Sequence, residues 1–304
     1  MKAIITGGGT GGHIYPALAV ARALEEKGWD ILYLGSKGGL EGKIIKEEGL
    51  PYKEVEVAPL PRKISPKLIS SVVKTTIGYF QARKIIKAFQ PDLVLGTGGF
   101  VAAPVVVAAT YLKFPSIIHE QNVYPGFTNK LLARRVDFIA LNFAAAQDYF
   151  PEKIKGSFSV TGNPVRKAIL ETGRERGLEE LGLEAGRKTI LVFGGSQGAM
   201  SINRAMIEVY KHFTGNNKVQ IIQITGPKNH QQVLQDIEEA GINLAENRHF
   251  RLLPYLKEME YAYAVADLVV YRAGATGLAE ITAKGIPAIL IPYPHAAENH
   301  QEYN

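Results

Sequence analysis

The chain has 304 residues, 46% hydrophobic and 21% charged, which excludes a largely disordered protein and implies one large α/β domain or two of about 150 residues. It contains no cysteine, hence no disulfide framework, thiolate metal site or cysteine nucleophile, and its longest uncharged apolar stretch, 101–112, falls short of the roughly 20 residues that span a bilayer. The net charge of +6 is uneven: residues 1–163 carry 20 Lys and Arg against 13 Asp and Glu, and residues 164–304 carry 15 against 16. A basic half fits nucleic acid, an anionic membrane or an anionic substrate, and charge alone does not choose. The start enters a strand at once, without the regions of a signal peptide, so a cytoplasmic protein is expected.

In chain order, short β-branched runs alternate with helical stretches, the pattern of βαβ units around a parallel sheet. Residues 2–6 run as a strand into the glycine loop 7–12, whose Gly7-x-Gly9-x-x-Gly12 spacing places bare amides and a helix N-terminus against an anion; Pro16 is read into the first turn of that helix. The next strand, 31–34, ends in Gly35 and Ser36 without the acidic residue that a nicotinamide site requires. His13 sits at a helix start, where the imidazolium is disfavoured and a neutral base is available; the alternative is a capping or packing histidine.

Residues 61–90 contain Arg62, Lys63, Lys67, Lys74, Arg83, Lys84 and Lys87, with no acidic residue from 57 to 91. Ile64, Leu68, Ile69, Val72, Val73, Ile77, Tyr79 and Phe80 are interleaved with them. Such a stretch suits an anionic membrane surface, with Ile64, Lys67, Leu68, Val72, Lys74 and Phe80 as candidates; the alternative is a helix packed on the sheet with a solvated lysine face. A second strand-and-glycine unit, 92–99, follows. Strand 115–118 leads into His119, Glu120, Gln121 and Asn122, at the end of a strand where polar groups meet ligand.

Residues 161–166 mark a turn and hinge, and the layout then repeats. Strand 188–193 enters the loop 194–198, strand 267–270 enters 274–277, and strand 287–291 follows. Two Rossmann-like domains, 1–163 and 164–304, are expected, with parallel sheets facing an interdomain cleft. Only 13 residues follow Ile291, so the last strand and covering helices are expected beyond Asn304. Glu280, one to two turns into a helix, is placed to accept from ribose hydroxyls, or else is an ordinary solvated glutamate. There is no Asp-x-Asp and no histidine pair with metalloprotease spacing, so no metal and no cofactor is expected, and diphosphate charge falls to helix N-termini, loop amides and Arg166. The loop 194–198 lacks a convincing nucleophile elbow.

Six blocks occur in order: Gly8 to His13, Gly98 to Phe100, His119 to Asn122, Gly162 to Arg166, Gly194 to Ala199, and Pro292 to Gln301. Together they resemble the MurG family, bacterial transferases that add N-acetylglucosamine to lipid I. The resemblance implies a GT-B fold and an inverting reaction, in which the 4-hydroxyl of the lipid-linked N-acetylmuramoyl-pentapeptide attacks the anomeric carbon of UDP-N-acetylglucosamine. It also implies a peripheral protein on the cytoplasmic face of the membrane, with the acceptor on the first domain and the donor on the second, and no nucleic-acid partner. The donor site it implies takes Thr10, Gly11, Gly12, Asn122, Arg166, Ser196, Leu256, Ala275, Thr276, Gly277, Leu278, Ala279, Glu280 and Gln301, with Glu280 on the ribose and His13 as candidate general base. Another GT-B lipid glycosyltransferase and, more remotely, an NAD-dependent oxidoreductase are the rival readings.

Overall fold

The computed structural model of the protein describes residues 1–59, 66–216, 218–296 and 299–304, with the backbone alone at 66 and 67. Ile64 lies outside the described residues, and so does the side chain of Lys67. The chain divides into two compact units, Met1–Arg166 with Tyr303–Asn304, and Lys167–Glu302.

The first unit is a seven-stranded parallel sheet with helices between its strands. Its elements are β1 (Lys2–Thr6), α1 (Gly11–Glu25), β2 (Asp30–Ser36), α2 (Leu40–Glu47), β3 (Tyr52–Val55), α3 (Pro66–Phe89), β4 (Leu93–Gly96), α4 (Ala102–Tyr111), β5 (Ser116–Glu120), α5 (Phe127–Leu132), β6 (Phe138–Leu141) and β7 (Ser157–Val160). The strand order is β3-β2-β1-β4-β5-β6-β7. Both faces of the sheet are covered, so β1 is a continuous apolar run rather than an alternating one. Ile4 packs with Leu32, Val94, Val105 and Ile86 on one face, and Ile5 with Ile14, Leu18 and Tyr33 on the other. Helix α1 already begins at Gly11, so Pro16 lies in its second turn, one turn later than the sequence reading placed it.

The second unit contains α6 (Lys167–Glu171), α7 (Arg174–Leu181), β8 (Lys188–Phe193), α8 (Met200–Phe213), β9 (Val219–Ile224), α9 (His230–Glu239), β10 (Phe250–Leu253), α10 (Met259–Val265), β11 (Leu268–Tyr271), α11 (Ala275–Lys284), β12 (Ala288–Leu290) and, at the chain end, α12 (His300–Tyr303). Its parallel sheet runs β10-β9-β8-β11-β12, which repeats the β3-β2-β1-β4-β5 order of the first. The duplication extends to single side chains. Asp92 Oδ2 accepts from the Lys2 amide at 2.7 Å, and Asp267 Oδ2 accepts from the Thr189 amide at 2.9 Å, so in both units an aspartate before the fourth strand ties down the start of the first.

Helix α3 turns its chemistry inside out. Its buried positions are small or polar, Ser71, Gly78 and Ala82, with Ile86 further along. A side chain at Gly78 would collide with the Glu56 carbonyl oxygen, so glycine is what lets the helix approach β3 this closely. Ile69, Val72, Val73, Ile77 and Phe80 are instead exposed, Ile69 by 71% and Phe80 by 60%. Their spacing of three and four residues makes one apolar stripe, joined by the exposed Tyr111 of α4, whose ring meets Tyr79 edge-on.

Candidate functional site

In the first unit the site is built where the loops after β1 and β4 meet. Gly99 adopts φ +79°, and a side chain there would strike the Gly8 carbonyl oxygen. The glycines therefore serve contact between two loops, which seats His13 against β4 and β5. His13 Nδ1 lies 3.0 Å from the Thr97 carbonyl oxygen and 3.1 Å from Gln121 Oε1, and the Thr97 hydroxyl donates to the His13 carbonyl at 2.7 Å. Thr10 is the extended N-cap residue of α1, and Gly11 and Gly12 form its first turn, where helix amides point outward and favour negative charge.

At the end of β5 the sequence reading expected His119, Glu120 and Gln121 to meet ligand, yet all three are buried. Their partners are internal. Glu120 Oε1 accepts from the Asn122 amide at 3.0 Å, while Oε2 accepts from the Gly126 amide at 3.0 Å and Asn129 Nδ2 at 2.8 Å. Such a carboxylate frames the turn after β5. Asn122 alone of the four is half-buried; its Oδ1 accepts from Asn304 Nδ2 at 3.2 Å. Burial holds the His119 imidazole below its ordinary pKa, only partly opposed by its bond to Gly162 and the charge of Glu120.

Glu41 escaped the sequence reading. It is fully buried under the first glycine loop, where Oε2 accepts from the Gly9 amide at 3.2 Å and Oε1 from the Ser36 amide at 2.7 Å and the Ser36 hydroxyl. A carboxylate thus already occupies the amide of Gly9, and a cofactor phosphate placed there would meet like charge, which weighs against a dinucleotide on this loop.

In the second unit, β8 runs into the loop 194–199, with Ser196 and Gln197 exposed, and then into α8. Helix α11 begins after Gly274 and carries Ala275, Thr276, Gly277, Leu278, Ala279 and Glu280. Side chains at Gly274 or Gly277 would meet the Tyr271 ring or its hydroxyl, so packing on Tyr271 accounts for both glycines. Glu280 is 7% exposed, and its Oε2 accepts from the Tyr263 hydroxyl at 2.9 Å; it is not the ordinary solvated glutamate of the alternative reading. Burial first, and the Glu280 charge second, hold the Tyr271 phenol far above its usual range. Arg272 is also buried, with Nη2 donating to Ser201 Oγ at 2.6 Å and Nη1 to the carbonyls of Ile291 and Pro292. This ties the end of β11 to α8 and to the segment after β12. Gln301 Oε1 accepts from the Tyr293 amide at 2.9 Å.

Residues 3–141 match the glycosyltransferase family 28 N-terminal domain and residues 189–304 its C-terminal domain. A UDP-N-acetylglucosamine--N-acetylmuramyl-(pentapeptide) pyrophosphoryl-undecaprenol N-acetylglucosamine transferase of Halothermothrix orenii is 59% identical over the whole chain and 82% of its own length. The chain belongs to glycosyltransferase family 28. A transferase of the same name from Desulforamulus reducens is 45% identical, again over the whole chain and 82% of the relative. Acinetobacter baumannii MurG superposes with a TM-score of 0.68 at 27% identity, over 99% of this chain and 81% of that one. A UDP-GlcNAc 2-epimerase of Neisseria meningitidis shares the fold alone, with a TM-score of 0.65 at 14% identity over 98% of this chain and 85% of that one.

Against this family 28 frame, the site residues expected from sequence fall into two groups. Thr10, Gly11, Gly12, His13 and Asn122 belong to the first unit. So does Arg166, which the sequence boundary at Asn163 had given to the second: its guanidinium stacks over the Tyr15 ring of α1 at 4.9 Å, and that contact holds it to the first sheet. Ser196, Leu256, the run 275–280 and Gln301 belong to the second. Of the candidate membrane residues, Val72, Lys74 and Phe80 are exposed and Leu68 is half-buried. Ile69, Val73 and Ile77, which the sequence reading named among the interleaved apolar residues, are exposed as well, and only Tyr111 of α4 was missed. Arg272 had a signal, as an arginine closing a buried strand before a glycine turn. Glu41 had none, because its partners at Gly9 and Ser36 are joined to it only by the fold.

Proposed function

We infer that this chain transfers N-acetylglucosamine from UDP-N-acetylglucosamine to the muramoyl 4-hydroxyl of undecaprenyl-pyrophosphoryl N-acetylmuramoyl-pentapeptide, lipid I, giving lipid II and UDP. The observation that carries this reading is the 59% identity, over the whole chain, to a transferase named for that reaction. His13 Nε2 takes the proton of the acceptor hydroxyl as its oxygen attacks the anomeric carbon; the bond from that carbon to the UDP oxygen breaks with inversion, and the electron pair leaves with UDP. Glu280 accepts from the ribose hydroxyls, with Leu256, Ala275 to Ala279 and Gln301 around the donor. On the second unit the loop at Ser196 is assigned to the diphosphate, and on the first unit the amides of Gly11 and Gly12, Thr10, Asn122 and Arg166 are assigned to anionic charge, so the reading calls for no metal. The acceptor is assigned to the first unit and the donor to the second.

An undecaprenyl acceptor stays in the bilayer, so the enzyme must come to it. The exposed stripe Ile69, Val72, Val73, Ile77 and Phe80, flanked by the lysines of α3, supports peripheral docking on the anionic cytoplasmic leaflet. Among the described residues no helix is long and apolar enough to cross a membrane, and docking of this kind needs none. The deciding experiment measures UDP released from UDP-N-acetylglucosamine with and without a lipid I analogue. Acceptor-dependent release with formation of a β-linked disaccharide is expected. Hydrolysis or epimerisation of the donor at the same rate without acceptor would overturn the reading.

A further inference from the structure

The buried amide of Gln121 has its orientation settled by its neighbours. Its Nε2 lies 2.8 Å from the Thr97 carbonyl oxygen and 3.2 Å from the His119 carbonyl oxygen, and only an NH2 group can face two carbonyls. The other end, Oε1, therefore faces His13 Nδ1. That nitrogen now has two oxygens at hydrogen-bond distance, Gln121 Oε1 and Thr97 O, and neither has a proton to give, so His13 Nδ1 carries the hydrogen and Nε2 carries the lone pair. The same logic continues past Gln121. Its Nε2 also lies 3.1 Å from His119 Nδ1, which shares with the His119 carbonyl the one NH2 hydrogen not given to Thr97, and His119 Nε2 lies 3.0 Å from the Gly162 carbonyl oxygen. His119 is accordingly the opposite tautomer, accepting at Nδ1 and donating at Nε2. One directional chain runs from His13 through Gln121 and His119 to the backbone at Gly162.

From this geometry we propose that Gln121 is a positioning residue for transfer: with Thr97 and the His119 that anchors it, it fixes the tautomer and the plane of His13 so that Nε2 is the nitrogen that accepts the acceptor's proton. When Nε2 takes that proton the ring becomes an imidazolium, and its Nδ1–H already points at two carbonyl-type oxygens whose negative ends stabilise the new charge without reorganisation. An aspartate does this for histidine in hydrolytic triads. Here a neutral amide does it, so no carboxylate is added at the His13 ring. The chain also gives a physical reason for burying His119: a protonated His119 would present a donor to Gln121 Nε2, turn the amide over and bring its NH2 against His13 Nδ1.

The inference rests on the reading of His13 as the base, so its test includes a measurement that needs no turnover. Nitrogen-15 NMR of the histidine rings should find His13 of the wild-type chain protonated at Nδ1 and His119 at Nε2; His13 protonated at Nε2 in the neutral ring would overturn the proposal whether or not the enzyme transfers sugar. In Gln121→Leu the Nε2-protonated form of His13 should become detectable. That variant should lose kcat by on the order of ten- to a hundredfold, the size of effect known for partners that orient metal-bound imidazoles, with KM for UDP-N-acetylglucosamine within about twofold of wild type. In a His13→Ala background the same substitution should change kcat by less than about twofold, because it acts through the missing ring. An equal loss in both backgrounds would overturn the proposal and reduce Gln121 to a packing residue. Correct tautomers in a chain that releases no UDP with acceptor would sustain the tautomer assignment and defeat the transferase reading instead.

Discussion

Glu280 offers a test in which affinity and stability move for separate, calculable reasons. The residue is 7% exposed on α11, and one carboxylate oxygen accepts from the hydroxyl of Tyr263, itself 1% exposed on α10. Replacing Glu280 by alanine takes this acceptor from a buried hydroxyl, which costs about 1–3 kcal/mol of stability in the second unit. If the carboxylate also holds the ribose, the nucleotide loses charged hydrogen bonds worth about 1.5–3 kcal/mol, and the Kd for UDP rises about ten- to a hundredfold. Glu280→Gln keeps an oxygen for Tyr263 and gives up only the charge, so its Kd should rise about two- to tenfold, while Tyr263→Phe should lower stability by about 1 kcal/mol and leave UDP affinity near wild type. Isothermal titration with UDP, beside urea unfolding of each variant, separates the two effects. A folded Glu280→Ala protein that binds UDP within about twofold of wild type would refute the ribose assignment.

Four further outcomes are expected. Gly99 and Gly28 have similar positive φ, +79° and +76°, but a side chain at Gly99 meets the Gly8 carbonyl oxygen and one at Gly28 meets nothing within 4 Å. Both alanine variants should lose about 1–2 kcal/mol to the left-handed backbone, and Gly99→Ala a further ~1–3 kcal/mol to the collision; equal shifts in urea midpoint would contradict the loop contact. His119 has its pKa lowered in the fold from 6.5, so the unfolded chain binds its proton first as pH falls. Stability should therefore be insensitive to this group above pH 6.5 and decline below it, through the folded pKa. His230, also lowered from 6.5, adds in the same direction, whereas Asp137 and Asp267 act only below 3.8; a His119→Gln variant should show a shallower decline, and an unchanged slope would count against burial as the cause. Ile69→Asp with Phe80→Asp should weaken sedimentation with anionic vesicles while leaving UDP binding intact, and undiminished sedimentation would move the membrane face away from α3. EDTA should leave transfer unchanged, since the diphosphate is assigned to the loop at Ser196 and the reading calls for no metal; loss of activity restored by magnesium would contradict that assignment.

The repeated order of strand, glycine loop and helix was legible in the sequence because its signals are local: β-branched runs, adjacent glycines, an aspartate before a buried strand. The same holds for His13 at a helix start and for the basic, apolar character of 61–90. What only the tertiary structure decided are partnerships between residues far apart in the chain. Gln121 reaches His13 across 108 positions, Glu41 reaches back 32 to Gly9, and Arg166 stacks on Tyr15. No periodicity encodes such pairs, since a buried polar side chain takes whatever partner the packed sheet brings within 3 Å or so. Which face of α3 is buried was likewise decided by the fold. Hydrophobic residues on a helix normally report the buried face, but here Gly78 and Ala82 make the close contact with the domain, and the larger side chains are left for another surface.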